Sequence, residues 1–112
     1  MENEALNKLL TPKSVAVIGA SATPGKIGYS VMRNLIDGGY AGAIYPINPS
    51  STEILGIQAY ASVKDVPGTI DSAIITVPSK LVSAVTDELG AKGVKGMIVI
   101  TSGYSEVGNR DL

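Results

Sequence analysis

Short, mostly apolar runs recur along this chain, and each is separated from the next by a longer amphipathic or irregular stretch. Four of the runs are predicted to be β-strands: SVAVI (14–18), AIYPI (43–47), SAIITV (72–77) and GMIVIT (96–101). Continuous rather than alternating apolar character is typical of strands that are covered on both faces, as in a parallel sheet. The pattern therefore predicts an α/β domain.

Two helices are predicted between these strands. The first begins after residue 26 and ends at two glycines, Gly38 and Gly39. The second is predicted to be capped by Ser79 and ended by Gly93. Their apolar positions recur at helical spacing: Ile27, Val31, Leu35 and Ile36 in the first helix, Leu81, Val82, Val85 and Leu89 in the second. Strands connected by helices predict a mainly parallel sheet with right-handed crossovers.

Shorter features lie between the second and third predicted strands. Residues 57–60 are predicted to be a small extended piece, and Ser62 is predicted to cap a single turn that closes at Pro67 and Gly68. In the second helix, Glu88 and Lys92 are four residues apart, a spacing that suits a weak surface ion pair.

The length of 112 residues predicts one domain, residues 1–112. The chain stops shortly after the fourth predicted strand, where an α/β fold would begin its next helix. We therefore expect this domain to be the N-terminal piece of a longer protein.

Composition excludes several classes of function. With 9 basic and 10 acidic residues, the chain has no basic field that would attract nucleic acid or an anionic membrane surface. Its apolar runs are too short to span a bilayer, and its first residues do not resemble a signal peptide. We expect a cytoplasmic domain that binds neither nucleic acid nor a membrane.

The chain contains no Cys and no His. A thiolate or imidazole metal site, a Ser-His-Asp triad, an imidazole general base and a phosphohistidine are therefore excluded within these residues. We expect no metal site and no catalytic residue in this segment.

The loop after the first predicted strand, GASATPGKIG (19–28), resembles a phosphate-binding loop but matches neither common pattern. Ala20 and Ile27 break the P-loop motif, and Ser21 and Pro24 break the dinucleotide motif G-x-G-x-x-G. The loop nevertheless precedes a helix, at the end of a sheet where ligands bind in α/β proteins.

The residue types in this loop favour a phosphate or pyrophosphate ligand. Gly19 would let the chain turn out of the strand, Gly25 would let the backbone approach a ligand, and Gly28 would let the helix pack closely. Freed backbone amides at the helix start favour an anion. Ser21 and Thr23 add hydroxyl groups, and Lys26 adds a positive charge. These last three residues are candidate ligand contacts.

The end of the second predicted strand bears on which nucleotide is bound. An NAD site places Asp or Glu there to hold the ribose diol, whereas this chain has Asn48, Pro49, Ser50 and Ser51. An uncharged end tolerates a phosphorylated ribose, which favours coenzyme A or NADP over NAD. No Arg of the kind that NADP sites use lies nearby, so coenzyme A is slightly preferred.

The sequence also resembles a known family. The run LNKLLTPKSVAVIGASATPGKIG, followed by IYPINP, ILGIQAYASVKDVP, IITVPS and VITSGYSEVG, is similar to the CoA-binding domain of the NDP-forming acyl-CoA synthetases. That family includes the ADP-forming acetate–CoA ligases and is related to the succinyl-CoA synthetase α subunit. The resemblance implies a Rossmann-like, doubly wound α/β fold with a mainly parallel sheet and helices on both faces.

The resemblance also implies roles for particular residues. The pyrophosphate of coenzyme A would be lined by four loop residues, Ser21, Ala22, Thr23 and Pro24. Asn48, Pro49 and Ser50 would lie near the phosphorylated ribose, although relatives often have a basic residue where this chain has Ser50. Val77 and Pro78 would lie near the adenine. Ile100, Thr101 and Ser102 would lie near the arm of the coenzyme.

In this family the reaction is acid + CoA + NTP ⇌ acyl-CoA + NDP + phosphate, and it passes through a histidine in a later domain and an ATP-grasp unit. A chain without His would therefore bind coenzyme A, while the ligase activity would belong to the remaining domains or subunit of an oligomeric parent. Two alternatives stay open. One is a stand-alone regulator that binds coenzyme A or a nucleotide, and the other is the cofactor domain of an NADP-dependent oxidoreductase.

Overall fold

The computed structural model describes residues 13–100. Six strands and two helices lie in this range: β1 (Ser14–Ile18), α1 (Ile27–Asp37), β2 (Ala43–Ile47), β3 (Glu53–Ile54), β4 (Ile57–Gln58), β5 (Ser72–Ile75), α2 (Ser79–Lys92) and β6 (Gly96–Val99). A 3₁₀ turn, Val63–Asp65, precedes β5. The predicted sites at Thr101 and Ser102 lie outside the described residues.

The main sheet has four parallel strands in the order β2-β1-β5-β6. From β1 the chain crosses to β2 through α1, and from β5 it crosses in the opposite direction to β6 through α2. Because crossovers are right-handed, the two helices lie on opposite faces. The predicted doubly wound α/β fold is thus confirmed, and its strand order reverses between β1 and β5.

The two faces of the sheet carry separate parts of the core. On the α1 face, Val15 and Val17 of β1 pack with Met32 and Leu35. On the α2 face, Ala16 and Ile18 pack in a cluster that includes Leu89. Successive side chains of a strand point to opposite faces, so a strand between two helical layers is buried at every position. This explains why all five residues of β1 are buried.

Three of the sequence predictions about these elements need correction: the ends of two strands, a helix cap and the burial of one side chain. β5 and β6 end at Ile75 and Val99, two residues earlier than predicted. Ser79 does not cap α2, because the helix already includes it, and the N-cap residue is Pro78, without a side-chain hydrogen bond. Leu81 was expected on the buried face of α2 but is 46% exposed. Gly93 ends this helix as predicted, with φ +89°.

The hairpin of β3 and β4 was missed by the sequence prediction, which placed only an extended piece at residues 57–60. Its turn has positive φ at both Leu55 (52°) and Gly56 (84°). Such turns favour Asn or Gly at the first position, so Leu55 gives no turn signal. The Leu55 side chain packs on the α1-face core, which supports this conformation. The predicted cap at Ser62 is confirmed by a hydrogen bond from the Lys64 amide, 3.2 Å long.

Candidate functional site

Two adjoining clefts open where β1, β2 and β5 end, which we call the carboxyl edge of the sheet. The first, the loop cleft, has a volume of about 430 Å³ and is lined by Gly19, Ala20, Ser21, Gly25, Lys26, Ile27, Gly28, Asn48, Thr76 and Pro78. The second, the valine cleft, has a volume of about 270 Å³ and is lined by Ile18, Gly19, Ile47, Asn48, Pro49, Ala61, Ser62, Val63, Val77, Val85 and Glu88. Since both include Gly19 and Asn48, one elongated ligand could occupy the two together.

Gly19 turns the chain out of β1 between two neighbouring strands. Its amide donates to the Ile47 carbonyl (3.0 Å), and its φ is +90°. A Cβ at this position would lie 2.5 Å from Thr76 Oγ1, whose hydroxyl donates to the Ile18 carbonyl (2.7 Å). Both the backbone conformation and the lack of space therefore require glycine here.

The other two loop glycines differ in what they need. A Cβ at Gly28 would overlap the carbonyl group of Gly19, so α1 can pack this closely on the loop only with glycine there. Gly25 has φ +97°, and among residues 13–100, apart from its two chain neighbours, nothing lies within 4 Å of the position of its Cβ. At Gly25 glycine thus provides the left-handed conformation and leaves space for a ligand beside the backbone.

The start of α1 is well suited to an anion. The helix has no acidic residue in its first turn, and Lys26 at the N-cap position makes no side-chain capping bond. Within residues 13–100, no hydrogen bond engages the amides of Ile27 or Gly28. Unpaired amides and an uncompensated helix dipole at this end favour a negatively charged group.

Part of the loop satisfies its own hydrogen bonds, which the sequence did not indicate. Ser21 Oγ accepts from the Thr23 amide (2.9 Å), and the Lys26 amide donates to the Thr23 carbonyl (3.2 Å). Ser21 lines the loop cleft, whereas Ala22, Thr23 and Pro24 are exposed and lie outside its lining. The structure thus brings only one of these four predicted contacts into the cleft.

Asn48 joins the two loops of the site. Its Nδ2 donates to the Ala20 carbonyl (2.8 Å), and its Oδ1 accepts from the Ser50 amide (2.7 Å). The Asn48 amide itself donates to the Tyr60 carbonyl (2.9 Å). These bonds fix the spacing between the two clefts. Pro49 lines the valine cleft, and Ser50 is exposed and lines neither cleft.

The remaining predicted contacts do not lie together in one cleft. Val77 lines the valine cleft, and Pro78 lines the loop cleft. Ile100 continues the line of β6 through a hydrogen bond from its amide to the Ile75 carbonyl (2.8 Å), and its side chain packs on the α1-face core. Ile100 lines neither cleft.

Several lining residues were missed by the sequence prediction. Thr76 could have been found, because it follows β5 at the edge where ligands bind. Five more come from the segment before β5 and from the middle of α2: Ala61, Ser62, Val63, Val85 and Glu88. No local pattern marks them, since only the packing of α2 against the 3₁₀ turn brings them together.

Few ionisable side chains occur among the described residues that line the two clefts. The ionisable side chains that line the clefts are Lys26 and Glu88, one in each cleft. No group of three or more potential metal ligands occurs within residues 13–100. In the same range, no helix has the length and apolar character needed to cross a membrane. Clefts at the point of strand reversal, next to a helix start that favours an anion, are typical of the class of nucleotide-binding α/β domains.

Comparison with known proteins then gives the family. The chain belongs to the family of CoA binding domains, whose model matches residues 13–109. It is 57% identical over 101 residues to an ADP-forming acetate–CoA ligase of Methanocaldococcus jannaschii. It is 51% identical over 108 residues to the α subunit of an ADP-forming acetate–CoA ligase I of Pyrococcus furiosus. The resemblance seen in the sequence is confirmed.

A solved structure has the same fold as this chain and is also similar to it in sequence. A dinucleotide forming acetyl-coenzyme A synthetase 1 from Ca. Korarchaeum cryptofilum, in complex with phosphate and ADP, superimposes with a TM-score of 0.81 at 48% identity. The match covers 94% of this chain and 23% of that one. In the two ligases above, it covers 90% and 93% of this chain but only 14% and 23% of the relatives. The chain thus corresponds to a small part of these larger proteins.

Proposed function

We propose that this chain binds coenzyme A by its phosphoadenosine diphosphate end and serves as the CoA-binding domain of an NDP-forming acyl-CoA synthetase. One observation carries the proposal. The start of α1, where the amides of Ile27 and Gly28 have no hydrogen-bond partner among residues 13–100, lies beside the valine cleft at the point where strand order reverses. A diphosphate attached to a purine nucleoside has this same division into an anionic and a flat apolar part.

The described residues fit this coenzyme. In the loop cleft, the diphosphate would accept hydrogen bonds from the Ile27 and Gly28 amides and be paired with Lys26, while Gly25 leaves the approach open. In the valine cleft, Val77 and Val85 would contact the adenine. Exposed Ser50, at the Asn48 turn, has space for the phosphorylated ribose beside it. The thiol end of the coenzyme would remain free for chemistry elsewhere.

The parent protein supplies the remaining parts of the reaction. These 112 residues contain no His, so the phosphohistidine intermediate of acid + CoA + NTP ⇌ acyl-CoA + NDP + phosphate must form on another domain or subunit. An ATP-grasp unit would complete the catalytic assembly, and the parent would be a cytoplasmic oligomer. The role of this chain is to hold the coenzyme.

Thermal unfolding with different ligands tests the proposal. A ligand that binds only the folded state stabilises it by RT ln(1 + [L]/Kd), about 2.7 kcal/mol at 100 times Kd. We expect the largest increase in melting temperature with coenzyme A, a smaller one with dephospho-coenzyme A, and smaller ones still with NAD and NADP. A larger increase with NADP than with coenzyme A would refute the assignment, and so would no increase with any of the four.

A matched pair of glycine variants tests the role of the loop. Gly25 and Gly39 both have positive φ, +97° and +75°, and both have open space around the Cβ position. Gly25→Val and Gly39→Val should therefore lose similar stability, on the order of 1–2 kcal/mol for the left-handed conformation. Only Gly25→Val should abolish the stabilisation by coenzyme A, since Gly39 lies after the far end of α1. Unchanged binding by Gly25→Val would contradict the proposed loop contact.

A further inference from the structure

A single carboxylate projects into a cleft that is otherwise neutral. Among the described residues that line the valine cleft, Glu88 is the one with a charged side chain. The Glu88–Lys92 ion pair expected from the sequence is not formed, because Lys92 Nζ donates to the Val66 carbonyl (2.6 Å). Among residues 13–100, the hydrogen bond recorded for the Glu88 carboxylate comes from the Ser62 hydroxyl, whose Oγ lies 3.5 Å from Oε1. Within residues 13–100, Glu88 thus has no cationic partner.

This placement needs a physical reason. Glu88 is half-buried beside Val85 and Val77, where an ionised carboxylate loses part of its hydration. One hydrogen bond at the outer limit of length compensates weakly, and the second carboxylate oxygen has no protein donor among the described residues. A ligand that presents a hydrogen-bond donor to this oxygen would complete the arrangement.

We propose that Glu88 accepts a hydrogen bond from the exocyclic amino group of the bound purine, so that the valine cleft selects adenine. This inference rests on the proposed function, because it assigns the cleft to the base of the coenzyme. Adenine presents an N6 amino donor, whereas hypoxanthine and guanine carry an oxygen acceptor at the same position. An oxygen at position 6 that faces the Glu88 carboxylate would be repelled by it, and the hydrogen bond at that position would be lost.

The same carboxylate also determines the direction in which the ligand binds. A phosphate in the valine cleft would meet the negative charge of Glu88, whereas in the loop cleft it meets Lys26 and the start of α1. The two clefts therefore have opposite electrostatic preferences, and the nucleotide can enter in one orientation only. Glu88 is thus a specificity-determining residue for the base and an orienting residue for the phosphates.

Calorimetric titration of the 112-residue chain tests this inference with two compounds. Adenosine 3′,5′-bisphosphate is a fragment of coenzyme A, and inosine 3′,5′-bisphosphate is its hypoxanthine analogue. They differ only in the group at position 6 of the purine and the proton at N1. The wild-type chain should prefer the adenine compound by about tenfold or more, the discrimination expected of one hydrogen bond to a charged group.

Two isosteric variants make the test specific. In Glu88→Gln the side-chain amide can either accept from adenine or donate to hypoxanthine, so the preference should fall to within about threefold. Asp87→Asn is the matched control, because it removes the same charge from the neighbouring exposed position, which does not line the cleft. This control should keep the wild-type preference.

The outcomes separate this inference from the proposed function. Equal affinity of the wild-type chain for the two compounds would overturn the inference, while tight binding of both would leave the proposed function standing. A Glu88→Gln variant that discriminates as well as the wild type would also overturn it, since Glu88 would then act only by holding Ser62. If the wild-type chain bound neither compound nor coenzyme A, the proposed function would fail and this inference with it.

Discussion

The two ends of the same four strands are built differently. At the amino edge, where the strands begin, Ser14 Oγ accepts from the Asp71 amide (2.9 Å) and donates to the Thr69 carbonyl (3.1 Å). The Ala43 amide donates to the Lys13 carbonyl (3.0 Å). At the carboxyl edge, the amides of Ile27 and Gly28 have no partner among the described residues, and two clefts are open.

This difference separates residues whose polar groups are satisfied within the fold from residues whose polar groups are available to a ligand. Buried polar groups in a folded protein are almost always hydrogen-bonded, so the amino edge contributes to stability in the usual way. The carboxyl edge keeps donors unpaired, and such donors gain more from a ligand than from the fold. Substitutions at the amino edge should therefore change stability without changing affinity, and most substitutions at the carboxyl edge should do the reverse.

The largest loss of stability is expected at Gly28, which is an exception to this division between the edges. Gly28 lies at the carboxyl edge, but a Cβ there would overlap the Gly19 carbonyl, which is backbone and cannot rotate away. We expect Gly28→Ala to lower the free energy of unfolding by about 3 kcal/mol, the upper part of the range for overpacking. Urea denaturation measures this loss, and the response to coenzyme A should weaken with it.

Gly90→Ala provides the control for the Gly28 variant. Gly90 is exposed in α2, and among the described residues nothing outside its own stretch of helix backbone lies within 4 Å of the Cβ position. Alanine there should raise stability by roughly 0.5–1 kcal/mol, because glycine is the poorer residue inside a helix. If the two alanine variants had equal stability, close packing between α1 and the loop would not be the reason for glycine at position 28.

A second prediction compares one hydroxyl group at each edge. Ser14→Ala removes a buried hydroxyl that accepts from the part-buried Asp71 amide, and it should cost about 1–3 kcal/mol of stability, with the affinity for coenzyme A unchanged. Thr76→Val should cost less, because the Ile18 carbonyl keeps its bond from the Thr76 amide (2.9 Å). Thr76 lines the loop cleft beside Gly19, so this variant should bind coenzyme A more weakly.

Denaturation and calorimetric titration of the same two variants check this pair. The difference between the edges predicts that the more stable of the two variants, Thr76→Val, binds coenzyme A more weakly than Ser14→Ala does. A Ser14→Ala protein that lost affinity, together with a Thr76→Val protein that kept it, would contradict the division between the edges.

Features that depend on the local chain could be predicted from the sequence. The strand at residues 14–18 and the helix after it follow from apolar spacing, and the need for Gly19 and Gly28 follows from a tight strand-to-helix connection. The loop cleft is made largely of backbone near these glycines. Its position at the switch point was predictable because ligands in open α/β sheets bind at the carboxyl ends of the strands, where the loop after the first strand usually lies.

Features that depend on side chains from distant segments could not be predicted. The valine cleft combines the ends of β1 and β2 with Ser62 and Glu88, which are 26 residues apart in the sequence. The helical spacing of Glu88 and Lys92 indicated a surface pair, but Lys92 reaches the Val66 carbonyl instead. Asn48 was expected near the ribose because it ends the second strand, but its bridge to Ala20 depends on how the two loops meet.

The smallest predicted effect concerns the pH dependence of stability near the amino edge. Burial raises the pKa of Tyr40, and the negative charge of Asp71 raises it further, while a hydrogen bond with the Lys13 backbone partly opposes both. The unfolded chain then releases the Tyr40 proton at lower pH than the folded chain. Stability from this group is therefore complete below about pH 10, the ordinary pKa of tyrosine, and is lost as pH rises through the folded-state value. Tyr40→Phe should remove this loss of stability. The difference in unfolding free energy between variant and wild type should therefore be constant from pH 8 to about pH 9, and it should move in favour of the variant above about pH 10.

Because Tyr40 lies away from both clefts, the response to coenzyme A at pH 8 should be the same in the two proteins. A difference that stayed flat across the whole range would show that Tyr40 does not link stability to pH at this edge.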